Sequence, residues 1–256
     1  MADFNKTICV IGLGYIGLPT ASLLGTKGFK VHGVDTSPEV VGTISKGKIH
    51  IVEPDLDVLV KSAVQAGNLQ AGLEPREADV FIIAVPTPFK EGNEPDLSYV
   101  DAATHMIAPY VKAGNIVILE STSPVGTTDG IVGKILEEAG HDIKRDVFVA
   151  HCPERVLPGR ILVELVENDR IVGGINPVAT EKAIEFYQTF VRGEVLATDS
   201  RTAEMAKLTE NSFRDVNIAF ANELSLICDH EGINVWELLS LANRHPRVNI
   251  LKPGPG

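Results

Sequence analysis

Cysteine is scarce in this 256-residue chain: Cys9, Cys152 and Cys228 are an odd number, with no CxxC pair and no metal-ligand spacing around them. Neither a disulfide framework nor a metal site is expected, and the isolated thiols suit a reducing compartment. Long apolar runs are also missing. The longest surrounds Val80 to Val85, far short of the ~18 residues that span a bilayer, and the N-terminus lacks a basic-then-apolar signal pattern. A cytoplasmic protein with no membrane partner is expected. Positive charge is in deficit, with 23 Lys and Arg against 34 Asp and Glu and a net charge of −11. That balance repels a nucleic-acid backbone or an anionic membrane surface, but it leaves room for a local pocket that takes a small phosphate. Internal repeats and low-complexity segments are absent too.

What is present begins at the first strand. Thr7 to Ile11 runs into Gly12-Leu13-Gly14-Tyr15-Ile16-Gly17, a plausible helix follows over Leu18 to Lys27, and a second strand, Lys30 to Val34, ends at Asp35. In this context the glycines have separate tasks. Gly12 permits a tight turn, Gly14 lets the backbone approach a pyrophosphate, and Gly17 lets the helix lie close on the sheet with its N-terminus toward the phosphates. Asp35, at about the ~20-residue offset of a dinucleotide site, should accept from a ribose 2′-hydroxyl and repel a 2′-phosphate, so NAD rather than NADP is expected. A Gly-rich turn with a capping Asp and no ligand is the plainer alternative.

Hydrophobic residues make up 44% of the chain, ample for a core. Asp55 to Ala66 reads as a helix, and Asp79 to Val85 as a strand buried on both faces. Helices near Tyr99 to Lys112 and Thr128 to Ala139 alternate with strands Ile116 to Leu119 and Val147 to Ala150. The strand Ile171 to Gly174, a helix from Pro177 to Phe190 and the short strand Glu194 to Ala197 would complete the layer. Such alternation predicts a Rossmann-like, doubly wound parallel α/β sheet over residues 1–198. From Asp199 the texture changes. Ser200 to Glu231 holds no Gly or Pro and stops at Gly232, which predicts a helix close to 50 Å long at ~1.5 Å per residue. Phe213, Val216, Phe220, Leu224 and Ile227 make one apolar stripe on it. Residues 199–256 are therefore expected to be an all-α segment that either packs on its own domain or joins two copies into a homodimer.

In an open parallel sheet ligands sit beyond the carboxyl ends of the strands. Three segments fall there: Pro86-Thr87-Pro88, Glu120 through Thr127, and His151-Cys152-Pro153-Glu154-Arg155. Hydroxyls and amides of the first two, including Thr87, Ser121 and Thr122, could hold a nicotinamide ribose or a substrate, and Glu154 could act as a base. Singly, each could be a cap or a rigid turn. On the long helix, Lys207 and Asn211 are i and i+4, with Arg214 a turn beyond, on a different side from the Phe213 and Phe220 stripe. A solvated face would look the same. Opposite a dinucleotide, however, an ammonium and an amide at that spacing can assist proton removal from an alcohol and stabilise an oxyanion.

Gly12 to Pro19, Pro86-Thr87-Pro88, Ser121 to Thr127 and Ala203 to Asn211 together resemble the nucleotide-sugar 6-dehydrogenase family, typified by UDP-glucose dehydrogenase, over the whole chain. Within that family, Pro153 to Arg160, Glu164 to Arg170 and Asn243 to Asn249 are similar to the UDP-N-acetyl-D-mannosamine (UDP-ManNAc) dehydrogenases. The resemblance implies a four-electron oxidation, in which two NAD are reduced while the sugar C6 hydroxymethyl becomes a carboxylate for surface polysaccharides. A cysteine traps the aldehyde, the adduct is oxidised to a thioester, and water hydrolyses it. Carried over by motif, Lys207 and Asn211 serve proton transfer and the oxyanion, while Glu154 and Thr122 position the hydrolytic water. Glu154, Arg155, Val156, Arg214, Arg244, His245, Arg247 and Asn249 lie near the nucleotide sugar.

The resemblance also implies a nucleophilic cysteine in a Gly-rich loop beginning just after Pro253 to Gly256, followed by a UDP-binding domain, so the chain reads as an N-terminal part that binds NAD and dimerises without oxidising the sugar. Cys9 and Cys228 look like buried inert thiols. Cys152 lies near the chemistry, but a neighbouring carboxylate would raise its pKa. Two alternatives remain: a β-hydroxyacid dehydrogenase, which needs Lys-xxx-Asn and no cysteine, and a non-catalytic NAD-binding module.

Overall fold

The computed structural model describes residues 6–255. Among these, β1 (Thr7–Ile11), β2 (Lys30–Val34), β3 (Leu69–Gly72), β4 (Val80–Ile83), β5 (Ile116–Leu119), β6 (Phe148–His151), β7 (Arg170–Gly174) and β8 (Val195–Asp199) form one sheet. Its order is β3-β2-β1-β4-β5-β6-β7-β8. The chain therefore winds outward from β1 to β3, then crosses back over β1 to β4 and outward again. That reversal leaves a crevice beyond the carboxyl ends of β1 and β4.

β4 and β5 are apolar at every position, and β1 at all but its first, because both faces of these strands are covered. Ile8, Val10, Val80, Ile82, Ile116 and Ile118 point into one core. It is shared with α1 (Gly17–Thr26), α3 (Leu56–Gln65), α6 (Ile161–Glu167) and α7 (Pro177–Tyr187) through side chains such as Leu24, Val60, Leu165 and Phe186. Cys9, Ile11, Phe81, Ile83, Val117 and Leu119 point into the other, against α4 (Ser98–Ile107) and α5 (Lys134–Glu138). Each fully buried aliphatic side chain contributes about 1.5–3 kcal/mol. Elements that escaped the sequence pattern include α2 (Pro38–Ile44), whose Ser37 cap accepts from the Val40 amide, the edge strand β3, and α6.

One expectation needs correction. The sheet is not parallel throughout: β6 and β7 are antiparallel, with Ala150 opposite Gly174 and His151 opposite Gly173, and β8 follows the direction of β7. Alternating strands and helices do not encode direction, and here the connection stays at the carboxyl edge. Glu53 accepts from the Gly159 and Ile161 amides at 2.9 and 2.8 Å, and Glu164 from Leu157 at 2.8 Å. That anchored coil leaves only the seven residues of α6 as helix, too short to return the chain for a parallel crossover. The helix expected over Thr128 to Ala139 is present, its first part a π-helix, Thr128–Gly133, that runs directly into α5. Its free amides are met by Glu204, which is fully buried and accepts from Gly126 N, Thr128 N and Thr128 Oγ1.

α8 covers Ser200–Glu231 as the sequence predicts, and α9 is Val235–Ala242. The chain divides into two compact units, one ending at Met205 and one beginning at Ala206. In the second, Asn234 caps α9 through the Trp236 and Glu237 amides. Asparagines of α8 suture the following segment: Asn217 accepts from Leu251 N, and Asn222 exchanges two hydrogen bonds with Gly254. No helix among the described residues is long and apolar enough to cross a membrane.

Candidate cofactor and active site

The three fingerprint glycines meet three different surroundings. Gly12 has φ +91°, and a Cβ there would stand 2.6 Å from Ala84 O. At Gly17 a Cβ would stand 1.7 Å from Gly12 O, so α1 can seat on β1 only without a side chain. At Gly14 nothing lies within 4 Å. The open side of the turn is thus the side on which a phosphate can approach backbone amides at the helix start. Asp35, at the end of β2, braces this turn: Oδ2 accepts from Leu13 N at 3.0 Å and Oδ1 from Ser37 N at 2.9 Å.

A cleft of about 570 Å³ opens over the turn, walled by Gly12, Gly14, Tyr15, Ile16, Asp35 and Pro86 from the sequence-derived set. Its far wall was missed. Tyr99, Ala102, Ala103 and Met106 from α4 line it, together with Thr36. Their spacing puts them on one helix face, the only signal available, and small residues between a tyrosine and a methionine leave room for a planar base. A volume of this size with mostly apolar walls and a carboxylate at one end accepts the adenosine half of a dinucleotide.

Gly17, Thr87, Ser121 and Thr122 do not line the cleft. The Thr87 hydroxyl donates to Thr122 O at 2.6 Å, and Ser121 Oγ donates to Val85 O at 2.7 Å. Those hydroxyls tie the loops after β4 and β5 to each other. Beyond β6, Glu154 is half-buried and accepts from Val156 N. Arg155 is held by its own contact, Nη1 to Asp169 O at 3.0 Å, while Val156 packs on the core. Cys152 is fully buried, and burial pushes its thiol up to about 11. Here too the sequence reading needs adjusting: burial is the main cause, and the carboxylate that adds to it is Glu120. Cys9 is pushed to about 11 in the same way, and Cys228 is buried. Neither Cys9 nor Cys152 is a reactive thiolate at neutral pH.

In the second unit, Lys207 is half-buried on α8, while Asn211 and Arg214 are exposed. Arg244, His245, Arg247 and Asn249 follow α9, all exposed, in a loop closed by Asn243, which donates to Ile250 O at 2.9 Å and accepts from Ile250 N at 2.8 Å. The apolar stripe is uncovered on this chain: Phe213, Val216, Phe220 and Ile227 are all more than half exposed.

Residues 6–191 match the NAD binding domain of the UDP-glucose/GDP-mannose dehydrogenase family, and residues 201–256 match its central domain. The chain belongs to this family. NAD is the cofactor of its first domain, and the cradle of Gly12, Gly14 and Asp35 fits it. Among curated relatives, the NDP-N-acetyl-D-galactosaminuronic acid dehydrogenase of Ralstonia nicotianae is 60% identical over 99% of this chain and 62% of its own length. The UDP-N-acetyl-D-mannosamine dehydrogenase of Yersinia pestis is 59% identical over 98% of this chain and 61% of its own. Among solved structures, the UDP-N-acetyl-mannosamine dehydrogenase Cap5O of Staphylococcus aureus superposes with a TM-score of 0.92 at 47% identity, over 98% of this chain and 61% of that one. The chain thus spans about three fifths of the length of these relatives. Membership in this family sets aside the β-hydroxyacid dehydrogenase alternative.

Proposed function

We propose that these residues are the cofactor-binding and central parts of a nucleotide-sugar 6-dehydrogenase that oxidises UDP-ManNAc to its uronate for surface polysaccharide synthesis in the cytoplasm. The observation that carries the reading is the cleft over Gly12, Gly14 and Asp35, in a chain whose relatives are named for N-acetylated sugar nucleotides. Similarity to the Ralstonia relative favours an N-acetylgalactosamine-type substrate as a second reading.

NAD, when bound, accepts the hydride of each oxidation. Gly12, Gly14 and Ile16 present backbone to its pyrophosphate, and Asp35 accepts from the ribose hydroxyl and repels a 2′-phosphate. Lys207 takes part in removing the proton of the sugar hydroxyl and steadies the resulting oxygen charge, with Asn211 donating beside it. Glu154 and Thr122 hold the water of the final hydrolysis. Arg155, Val156, Arg214, Arg244, His245, Arg247 and Asn249 bind the nucleotide sugar. Two copies pair through the apolar stripe of α8.

NADH production tests this reading, measured with NAD and UDP-ManNAc on the 256-residue chain and on a polypeptide carrying it at the full length of its relatives. The expected result is NAD binding without sugar oxidation by the 256 residues, and two NADH per sugar from the longer chain. One NADH per sugar, or turnover by the 256 residues alone, overturns the proposal.

A further inference from the structure

Below the two strand-end loops that carry Thr122 and Glu154 lies a group of ionisable side chains shut off from solvent. Glu120 directly follows β5, Cys152 directly follows β6, Arg170 opens β7 and Tyr187 closes α7, and none is more than 2% exposed. Tyr187 Oη donates to Glu120 Oε1 at 2.7 Å. The Arg170 guanidinium stands 5.5 Å from the centroid of the Tyr187 ring and donates to Leu165 O at 3.2 Å. Glu120 Oε2 has no hydrogen-bond partner among the described residues. Burial opposes the charge on Arg170 while the neighbouring Cys152, Glu120 and Tyr187 favour it, and burial raises the pKa of Glu120, which the nearby guanidinium lowers.

The sheet couples this group to the loops. Leu119 stands opposite His151, and Cys152 N donates to Leu119 O at 3.1 Å, so Glu120 and Cys152 leave neighbouring strands side by side. One residue beyond Glu120, Ser121 is pinned to Val85 O, and Thr122 O accepts from Thr87. Two residues beyond Cys152 comes Glu154, and Arg155 is fastened to Asp169 O, the residue before Arg170. For holding a fold together, apolar side chains of the same volume would serve as well as a buried charged group. Its position points to another use.

We propose that Glu120 and Tyr187 are positioning residues for the hydrolysis that ends the reaction proposed above, on which this inference rests. Their hydrogen bond fixes how β5 and β6 exit the sheet, and so where Thr122 and Glu154 stand about the water. In that step the water oxygen bonds to the acyl carbon, its proton passes to Glu154, and the enzyme thiolate leaves as the acyl–sulfur bond breaks. Both hydride transfers precede it.

Tyr187→Phe removes only the hydroxyl that Glu120 accepts, and Phe190→Leu, on the ring that packs 5.6 Å from Tyr187, disturbs the packing without that bond. Both are placed in the relative-length chain and followed by rapid-mixing NADH absorbance. For Tyr187→Phe we expect unchanged NAD affinity and a burst of NADH from both oxidations, followed by a steady state slowed on the order of tenfold or more. Phe190→Leu should lower thermal stability with no burst. Uniform slowing without a burst, a steady state within about twofold of the parent, or a burst in both variants would overturn the inference. A parent that makes no NADH from the sugar overturns it together with the function.

Discussion

His151 shows how much a single residue can set the acid limit of the molecule. It is fully buried at the end of β6, neither ring nitrogen has a hydrogen-bond partner among the described residues, and burial lowers its pKa from 6.5 to about 4. A folded-state pKa below the unfolded one means that, between these values, the unfolded chain binds a proton that the folded chain refuses. Stability is therefore lost as pH falls from about 6.5 toward 4, by about 3 kcal/mol for this group. His151→Phe should flatten that part of the profile relative to the parent in urea titrations at pH 4.5, 5.5 and 7. Comparing the two chains cancels His32, whose pKa burial also lowers, and the carboxylates common to both. Parallel profiles would remove His151 from the account.

At the scale of elements, the turn between β1 and α1 separates folding from binding. Gly17→Ala drives a methyl into Gly12 O and should prevent stable folding, because both contacting groups are backbone. The Cβ of Gly14→Val meets no atom within 4 Å, so its melting temperature should stay close to the parent's. Its NAD affinity, measured by calorimetry, should nonetheless fall on the order of tenfold or more, because the added side chain occupies the space through which the pyrophosphate reaches the amides. Equal losses of stability in the two variants would contradict the division of labour. This turn was legible in the sequence because Gly12 and Gly17 answer steric demands of the surrounding backbone, while Gly14 keeps the ligand side of the turn open. β1, β2, β5 and α8 were legible for a related reason: burial on two faces, or an unbroken 32-residue helix, leaves a dense pattern. α2, β3 and α6 were not, being short and half-exposed. The reversal at β7 was invisible because its cause is tertiary, the carboxylates of Glu53 and Glu164 holding the 157–161 coil. Tyr99 and Met106 went unnoticed as cleft residues because, along the sequence, a helix face that lines a crevice looks like one that faces water.

For the whole molecule, the exposed face of α8 and the net charge of −11 oppose each other. Phe213, Val216, Phe220 and Ile227 follow one another at spacings of three, four and seven along the helix. Burying any one of them against a second copy contributes about 1.5–3 kcal/mol. Bringing two strongly acidic chains together costs electrostatic energy that salt screens over about 10 Å at 0.1 M. A dimer held by this stripe should therefore tighten as salt is raised from low to moderate concentration, whereas one held by ion pairs would loosen. Sedimentation across a salt series reads the sign directly. Phe213→Glu with Phe220→Glu should give a monomer at every salt concentration while NAD binding persists, since neither residue lines the cleft. Loosening with salt, or a dimer that survives both substitutions, would move the interface away from α8.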